Sequence, residues 1–294
     1  MWGIVLIEII TQYLIYGIVL GSMYAVVASG LSLIWGTMKM LNFAHGEFYM
    51  IGAYVFFFLT VLYGLNPFIS LIISMIVTFI IGICVARLTV IPLIDKPGWI
   101  SSHIVVTIGL MIFFQHFALI FWGERYKKPP YFIEGNINIS GIPIAIQRLI
   151  ILGVCLLMLL FLYIFIRKTK LGMALRALAQ DREIAQLMGI NVNKMYLIAF
   201  SISVSLAAGA GAVLSPIFMI FPAMGAIPLL KAFAVCVLGG LGNFEGAVIA
   251  SFMLGIMEAL TTMFIGAEWK DVVAFIVLIV TLTVRPSGLF ARPT

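Results

Sequence analysis

Polar side chains that can bind a solute or exchange a proton interrupt an apolar stretch, NFAHGEFYMIGAY, near the start of the chain. They are Asn42, His45 and Glu47. An ionisable side chain at the centre of a membrane helix costs about 2.5–3.5 kcal/mol on insertion scales and usually marks function. Gly46 permits a helix break, which would present free N–H groups and an oriented dipole to a solute. The pattern predicts a polar contact on a solute path; the alternative is an interfacial turn capped by Asn42.

Further polar residues lie inside other apolar runs. Glu258 is central in its run and is a second candidate for the path, the alternative being a buried structural hydrogen bond to a neighbouring helix. Lys231 is interpreted as an interface residue that extends its ammonium to the lipid headgroups. For Gln115 and His116 two interpretations stay open: they line a solute path, or they form hydrogen bonds with polar groups inside the helix bundle.

Motifs for catalysis and cofactor binding are missing from the sequence. It contains neither HExxH nor GxSxG, and no P-loop. The glycines of GGLGNFEG follow no predicted strand, so they indicate a tight turn and not a nucleotide-binding loop. Cys84, Cys155 and Cys236 are too widely spaced for a metal site. We expect no enzymatic activity, no metal and no cofactor.

The composition is that of a multi-pass membrane protein. Hydrophobic residues make up 64% of the chain and charged residues only 10%. The net charge of +6 resides mainly in loops and at the C-terminus, which reflects membrane topology and does not suggest nucleic-acid binding. The N-terminal residues MWGIVLIEIITQ have no positive region or cleavage site, so they are assigned to a first span and not to a signal peptide.

Long uncharged runs predict an all-α bundle of eight spans and one half-length or re-entrant helix, within a single transmembrane domain over residues 1–294. The spans are placed within residues 13–35, 48–86 (two spans separated at 64–67), 97–123, 149–166, 195–216, 247–265 and 271–284, and the half helix at 229–238. Loop residues Arg87, Asp95 and Lys96 follow the third span, and Arg285-Pro286 end the last. Residues 124–148 are expected to form an exposed, non-helical connection.

A basic segment at residues 167–195 differs from the rest of the chain, with six basic and two acidic residues between Arg167 and Lys194. Short Lys/Arg-rich loops stay in the cytoplasm, which places residues 87–96 inside and 124–148 outside. The side on which the N-terminus lies stays open, because it depends on whether the chain turns back within the membrane at 42–45.

Two short amphipathic helices are predicted within this basic segment. Leu171, Leu175 and Leu178 share one helical face. Asp181 is placed to cap a second helix, and Gly189 is placed to end it. The apolar stripe of that helix is formed by Ile184, Leu187 and Met188. We expect both stripes to be covered by a cytoplasmic partner protein; the alternative is a loop lying on the lipid headgroups.

Three long motifs carry a family resemblance over essentially the full chain. They are NFAHGEFYMIGAY (42–54), RALAQDREIAQLMGIN (176–191) and AFAVCVLGGLGNFEGAVIASFMLGIMEAL (232–260). In this order they resemble the permease subunits of high-affinity branched-chain amino-acid ABC transporters. Residues 183–189, EIAQLMG, are similar to the EAA-x-x-x-G signature by which ABC permeases dock their ATPase, with Ile184 replacing the first alanine.

The resemblance implies an ABC importer permease in a bacterial or archaeal plasma (inner) membrane that moves leucine, isoleucine and valine inward. It implies a second homologous permease, two cytoplasmic ATP-binding subunits that hydrolyse the ATP, and an extracytoplasmic binding protein, all in a lipid bilayer. The residues implied in ATPase coupling are Leu171, Arg176, Asp181, Glu183, Ala185 and Gly189. Related permeases for urea, short-chain amides or other amino acids are the alternative, and a stand-alone secondary transporter is a more distant one.

Overall fold

A computed structural model of the chain describes residues 2–94, 96, 98–139, 142–285 and 287–290. Asp95, the predicted span start at Pro97, Pro286 and the basic C-terminal Arg292 lie outside the described residues. The regular structure of the described residues is helical apart from one β-hairpin and an isolated bridge between Lys127 and Ile220. Its α-helices are α1 Trp2–Met38, α2 His45–Val61, α3 Pro67–Val85, α4 Trp99–Trp122, α5 Ile146–Lys168, α6 Lys170–Gln180, α7 Arg182–Leu187, α8 Val192–Leu214, α9 Ala226–Gly239, α10 Phe244–Phe264 and α11 Lys270–Val284. A π-helix, Ala86–Val90, and two 3-10 helices, Ile91–Leu93 and Ala267–Trp269, are also present.

The observed helices confirm the predicted set of membrane spans. Six of them are long and apolar enough to cross a bilayer: α1, α3, α4, α5, α8 and α10. With the shorter helices α2 and α11 the number of spans among the described residues is eight, and α9 is the predicted half helix. A helix of 14 residues such as α9 reaches about 21 Å, less than the roughly 30 Å of a hydrocarbon core.

Glycines allow the central helices of the bundle to pack backbone against backbone. A Cβ atom at Gly17 would lie 2.8 Å from the Gly255 carbonyl oxygen, and one at Gly21 would lie 2.8 Å from the Phe252 Cα. These residues join α1 to α10, as expected for small residues four apart on a membrane helix. The most apolar stretch of α1 is almost entirely buried, whereas that of α4 is almost entirely exposed, so α1 is central and α4 peripheral.

Two ends of the bundle can be distinguished. The basic end contains α6 and α7, together with the C-terminus of α5 and the N-terminus of α10, which an Arg167–Glu245 ion pair connects. The hairpin end contains the strands β1 Asn136–Ile139 and β2 Ile142–Ala145 within the expected non-helical connection. The Arg148 guanidinium lies 5.4 Å from the centre of the Tyr16 ring, which places the first half of α1 at the hairpin end.

Residues 39–44 return from the basic end into the bundle. The helix α1 ends at Met38, and Lys39 has a positive φ of 53°. The ring of His45 then lies beside Val27. Val27 lies in α1, about 16 Å along the helix axis before its last residue. The helix break therefore precedes His45, and its expected position at Gly46 is wrong. Gly46 lies within the first turn of α2, where a Cβ atom would collide with the carbonyl of Gly225.

The close approach of α1 and α10 generates a stability prediction. A Cβ atom at Gly255 would lie only 2.5 Å from the backbone nitrogen of Gly21, whereas one at Gly153 would meet no atom within 4 Å. We expect Gly255→Val to destabilise the purified protein by about 1–3 kcal/mol or more through overpacking. The matched control Gly153→Val should retain the wild-type midpoint in a thermal unfolding scan. Equal midpoints for the two variants would contradict this packing.

Candidate coupling surface and buried polar sites

The basic segment folds as two short helices, each begun by its own side-chain cap. Thr169 Oγ1 accepts a hydrogen bond from the Gly172 N–H at 3.0 Å at the start of α6. Asp181 Oδ1 accepts one from the Ile184 N–H at 2.9 Å at the start of α7, as predicted. Such caps satisfy N–H groups that the helix itself leaves unpaired. Asp181 therefore both ends α6 and begins α7.

Gly189 ends α7 in a left-handed conformation, with φ of 83°. Its N–H donates to the Gln186 carbonyl at 3.0 Å, and the N–H of Ile190 donates to the Ala185 carbonyl at 3.1 Å. This pair of bonds is the Schellman arrangement, in which glycine is favoured because it has no Cβ. The predicted helix end at Gly189 is confirmed.

The apolar face of α7 lies open at the basic end. Ile184, Leu187 and Met188 are 60%, 86% and 78% exposed, as predicted. Ala185, which lies between them in sequence but on another side of the helix, is buried and anchors α7 to the rest of the molecule. We call Ile184, Leu187 and Met188 the α7 patch. Three large apolar side chains together on a short polar segment are typical of a protein-binding surface.

The expectation that the apolar stripe of α6 is also uncovered is wrong. Leu175 and Leu178 are buried, because α6 packs on α1, α5 and α8. Leu171 is 40% exposed, and Arg176 and Glu183 are also exposed. Of the predicted coupling residues, only Ala185 is therefore part of the core. The others lie on the surface or at its edge.

The three predicted path residues near the start of α2 are all buried. Asn42 Oδ1 accepts from the Ala44 N–H at 3.1 Å, and His45 Nε2 lies 3.2 Å from the Val27 carbonyl oxygen. Glu47 Oε1 accepts a hydrogen bond from Gln115 Nε2 at 2.8 Å, so Gln115 is a hydrogen-bond donor within the bundle. One polar atom of each, Asn42 Nδ2, His45 Nδ1 and Glu47 Oε2, has no hydrogen-bond partner among the described residues. His116, in contrast, is exposed on α4.

Glu258 belongs to a buried ionic cluster that sequence analysis did not find. Lys231 Nζ lies 2.9 Å from Glu258 Oε1, 2.8 Å from Asp271 Oδ1 and 3.0 Å from Tyr24 Oη. Lys231 is 5% exposed, so its assignment as an interface residue reaching the headgroups is wrong. The cluster connects α9 to α1, α10 and α11. Its members are far apart in sequence and follow no spacing rule, so the sequence indicates Glu258 and Lys231 only as separate polar residues.

A cavity of about 540 Å³ lies at the basic end between α1, α5, α6 and the turn that joins α9 to α10. We call it the basal cavity. Arg176 lines it, but Asn42, His45, Glu47 and Glu258 do not. Within the described part of the chain, no three His, Cys, Asp or Glu side chains are grouped so that they could hold a metal ion.

These features define a class of protein: a multi-pass helical membrane protein with an exposed apolar face on a short helix at one end. Comparison with known proteins narrows the class. Residues 13–282 match the family model described as branched-chain amino acid transport system / permease component. The chain belongs to this family and is a transport permease subunit, a multi-pass protein of the inner membrane.

Individual relatives match over almost their full length. The chain is 36% identical to the high-affinity branched-chain amino acid transport system permease protein BraD of Pseudomonas aeruginosa, with 96% of each chain covered. It is 35% identical to LivH of Escherichia coli K12, again over 96% of each. A probable LivH of Methanocaldococcus jannaschii is 29% identical over 92% of this chain and 90% of the relative.

The buried ionic cluster predicts an asymmetry between single and double variants. Lys231→Met leaves the carboxylates of Glu258 and Asp271 without their cation, and breaking a buried pair this way costs about 3–5 kcal/mol. Lys231→Met/Glu258→Gln removes the ammonium and the more deeply buried carboxylate, leaving only the partly exposed Asp271 without a cation, and should recover part of that loss. Thermal unfolding of the purified protein measures the stability of the single and the double variant. Lys194→Met, a substitution at an exposed lysine, is the matched control. A double variant no more stable than Lys231→Met would contradict a direct ionic interaction.

Proposed function

We propose that this chain forms half of the translocation path of an ATP-driven importer that moves leucine, isoleucine and valine into the cytoplasm. The relatives BraD and LivH are named for branched-chain amino acid transport, which supports this substrate class. The observation that carries the proposal is the α7 patch. An exposed apolar face on a capped helix beside a basic segment fits a permease that docks a separate motor subunit.

The partners we propose are a second homologous permease, two ATP-binding subunits at the basic end and an extracytoplasmic binding protein at the hairpin end. The basic segment supports this orientation, because short Lys/Arg-rich loops stay in the cytoplasm. In this arrangement the ATP-binding subunits hydrolyse ATP, and the permease contributes only the path and the docking surface.

Mechanical coupling would pass through the packed side of the basic segment. Ala185 anchors α7, while Leu175 and Leu178 anchor α6 against α1, α5 and α8. A push on the α7 patch by a closing ATP-binding dimer would therefore move whole spans, because interiors this densely packed transmit strain. In the proposed cycle, that movement alternates a cavity between outward-open and inward-open forms.

The path contacts we propose first are Asn42, His45 and Glu47. Each is buried at the helix break and keeps one polar atom without a partner among the described residues, which supports a role in contacting a polar solute. Glu258 is the second candidate. Its contacts with Lys231 and Tyr24 favour an indirect contribution, through the position of α9.

Leu187→Asp tests the docking surface directly. A carboxylate at this 86% exposed position would be desolvated against an apolar partner, so we expect uptake to fall at least about tenfold, the equivalent of about 1.4 kcal/mol. The permease itself should stay folded in the membrane. ATP-driven uptake of radiolabelled leucine into proteoliposomes measures transport. The monodispersity of the purified chain shows whether the permease is still folded.

The matched control is Leu62→Asp, an exposed leucine in the turn after α2 at the opposite end of the bundle. It introduces the same charge away from the proposed ATP-binding partners and should leave their copurification with the permease unchanged, whereas Leu187→Asp should reduce it. Gly189→Val and Glu183→Lys should uncouple ATP hydrolysis from uptake. Normal coupled uptake in all three basic-end variants would disprove the docking assignment.

Substrate competition separates the remaining alternatives. We expect excess valine and isoleucine to abolish uptake of labelled leucine, and urea or acetamide to leave it unchanged. Competition by urea or acetamide alone would instead indicate an amide permease of the same family. Uptake that persists without the ATP-binding subunits would indicate a stand-alone secondary transporter.

A further inference from the structure

His116 lies on the exposed side of α4, at a depth where lipid offers its ring no hydrogen-bond partner. It belongs to the apolar span Ser101–Trp122, about 7 Å along the helix axis from the middle of that span. The hydrocarbon core extends roughly 15 Å to each side of its centre, so a ring at this position lies inside it. The imidazole makes no hydrogen bond or ion pair with a described residue. Ionisable side chains at this depth almost always face protein or a water-filled cavity.

The exposed faces of the other spans carry no comparable group among the residues that the structure describes. Away from the first and last turns of those helices, the exposed residues are apolar or aromatic side chains and one glycine, Gly153. On α5, for example, Leu156, Leu157 and Leu160 are exposed. Such faces suit contact with lipid tails, which are as apolar as leucine. Within the described spans, the composition of α4 is therefore the one that requires a protein partner.

His116 is part of a stripe of exposed residues that follows one side of α4. We call this stripe the α4 seam; its residues are Val105, Gly109, Ile112, His116 and Leu119. They are separated alternately by four and three residues. That spacing keeps side chains on one side of a helix and is typical of the line along which two helices pack.

Gly109, in the middle of the α4 seam, is not required by any contact within the described chain. A Cβ atom at this position would meet no atom within 4 Å. Glycine is unfavourable inside a helix, because it loses more backbone entropy on folding than alanine does. In membrane helices, small residues occur where another helix approaches closely. Gly153 of α5 is equally open but lies among leucines, so it provides a matched comparison.

The inner side of α4 contacts the helix that carries the proposed path residues. Gln115, next to His116, donates to Glu47 at 2.8 Å, and the Phe114 ring lies 5.4 Å from that of Phe48. The helix α4 is therefore a single layer between α2 and the outside of the molecule. A path shared by two permeases requires that the second subunit approach α2 closely. The α4 seam lies on the side where only one helix intervenes.

We propose that the α4 seam is the surface on which the second homologous permease docks within the membrane. A helix of that subunit packs closely at Gly109 and presents a hydrogen-bonding side chain to His116. An imidazole has one donor and one acceptor nitrogen, so a hydroxyl or an amide can supply the partner that lipid lacks. The identity of this subunit rests on the proposed function, whereas the need for a protein partner rests on His116 and Gly109.

Photo-crosslinking in the complete transporter tests this placement. A benzophenone amino acid replaces Ile112 of the α4 seam, and the second permease carries an epitope tag. After irradiation of the membranes, we expect a covalent adduct with the tagged permease. The same amino acid at Leu157, on the exposed leucine face of α5, is the matched control and should give no such adduct. An adduct at Leu157 but not at Ile112 would overturn the proposal, as would an Ile112 adduct between two copies of this chain, or none with any protein.

Two pairs of variants measure how much the α4 seam contributes to assembly. Gly109→Val should reduce copurification of the second permease several-fold by preventing close approach, whereas Gly153→Val should leave it unchanged. His116→Leu should also reduce copurification, and His116→Gln should restore most of it, because glutamine can donate and accept hydrogen bonds. Each chain purified alone should keep the wild-type thermal midpoint, since the seam is uncovered there. A ring that faced lipid would be replaced by leucine without loss, so undiminished copurification with His116→Leu and Gly109→Val would contradict the proposal.

Failure of this proposal is distinguishable from failure of the proposed function. Normal ATP-driven leucine uptake without an adduct at Ile112 would reject the α4 seam as the contact and leave the function standing. Absence of leucine uptake by the wild-type transporter would reject the function. An adduct between Ile112 and the second permease would still establish the contact in that case.

Discussion

The lipid bilayer offers no counter-ion and no hydrogen-bond partner, so each charge buried at membrane depth must find its partner within the protein. Lys231 meets this demand with Glu258, Asp271 and Tyr24, which come from three other helices. The half helix α9 is too short to span the hydrocarbon core unaided, and this cluster fixes it within the bundle. The attachment of α9 to α1, α10 and α11 therefore depends in part on one buried ammonium group.

Close backbone packing is the second consequence of the same constraint. Helices gain no hydrophobic driving force from one another in lipid, so contact at short range must hold them together. Gly17 and Gly21 against α10, and Gly46 against Gly225, allow that approach. The result is a densely packed centre around α1 with the basic segment attached to its end. Only such a centre could transmit a push on α7 to the spans, as the proposed coupling requires.

Much of this architecture could be predicted from the sequence, because it depends on local rules. Uncharged runs gave the spans, the Asp181 cap and Gly189 gave the limits of α7, and the spacing of Ile184, Leu187 and Met188 gave its exposed face. Tertiary packing decided the rest. The apolar face of α6 is covered because the ends of three spans meet it, which its own periodicity does not reveal. Lys231 is 27 residues from Glu258 and forty from Asp271 and has no helical spacing to either, so both ion pairs needed the structure.

In the proposed transporter the α7 patch is a docking surface, exposed in the isolated permease and covered after assembly. Hydrogen–deuterium exchange of the peptide that spans residues 182–190, with and without the ATP-binding subunits, tests this most directly. We expect fast exchange in the permease alone and strong protection after assembly, with no comparable change in the turn at residues 62–66. Unchanged exchange at α7 in a complex that still transports leucine would contradict it.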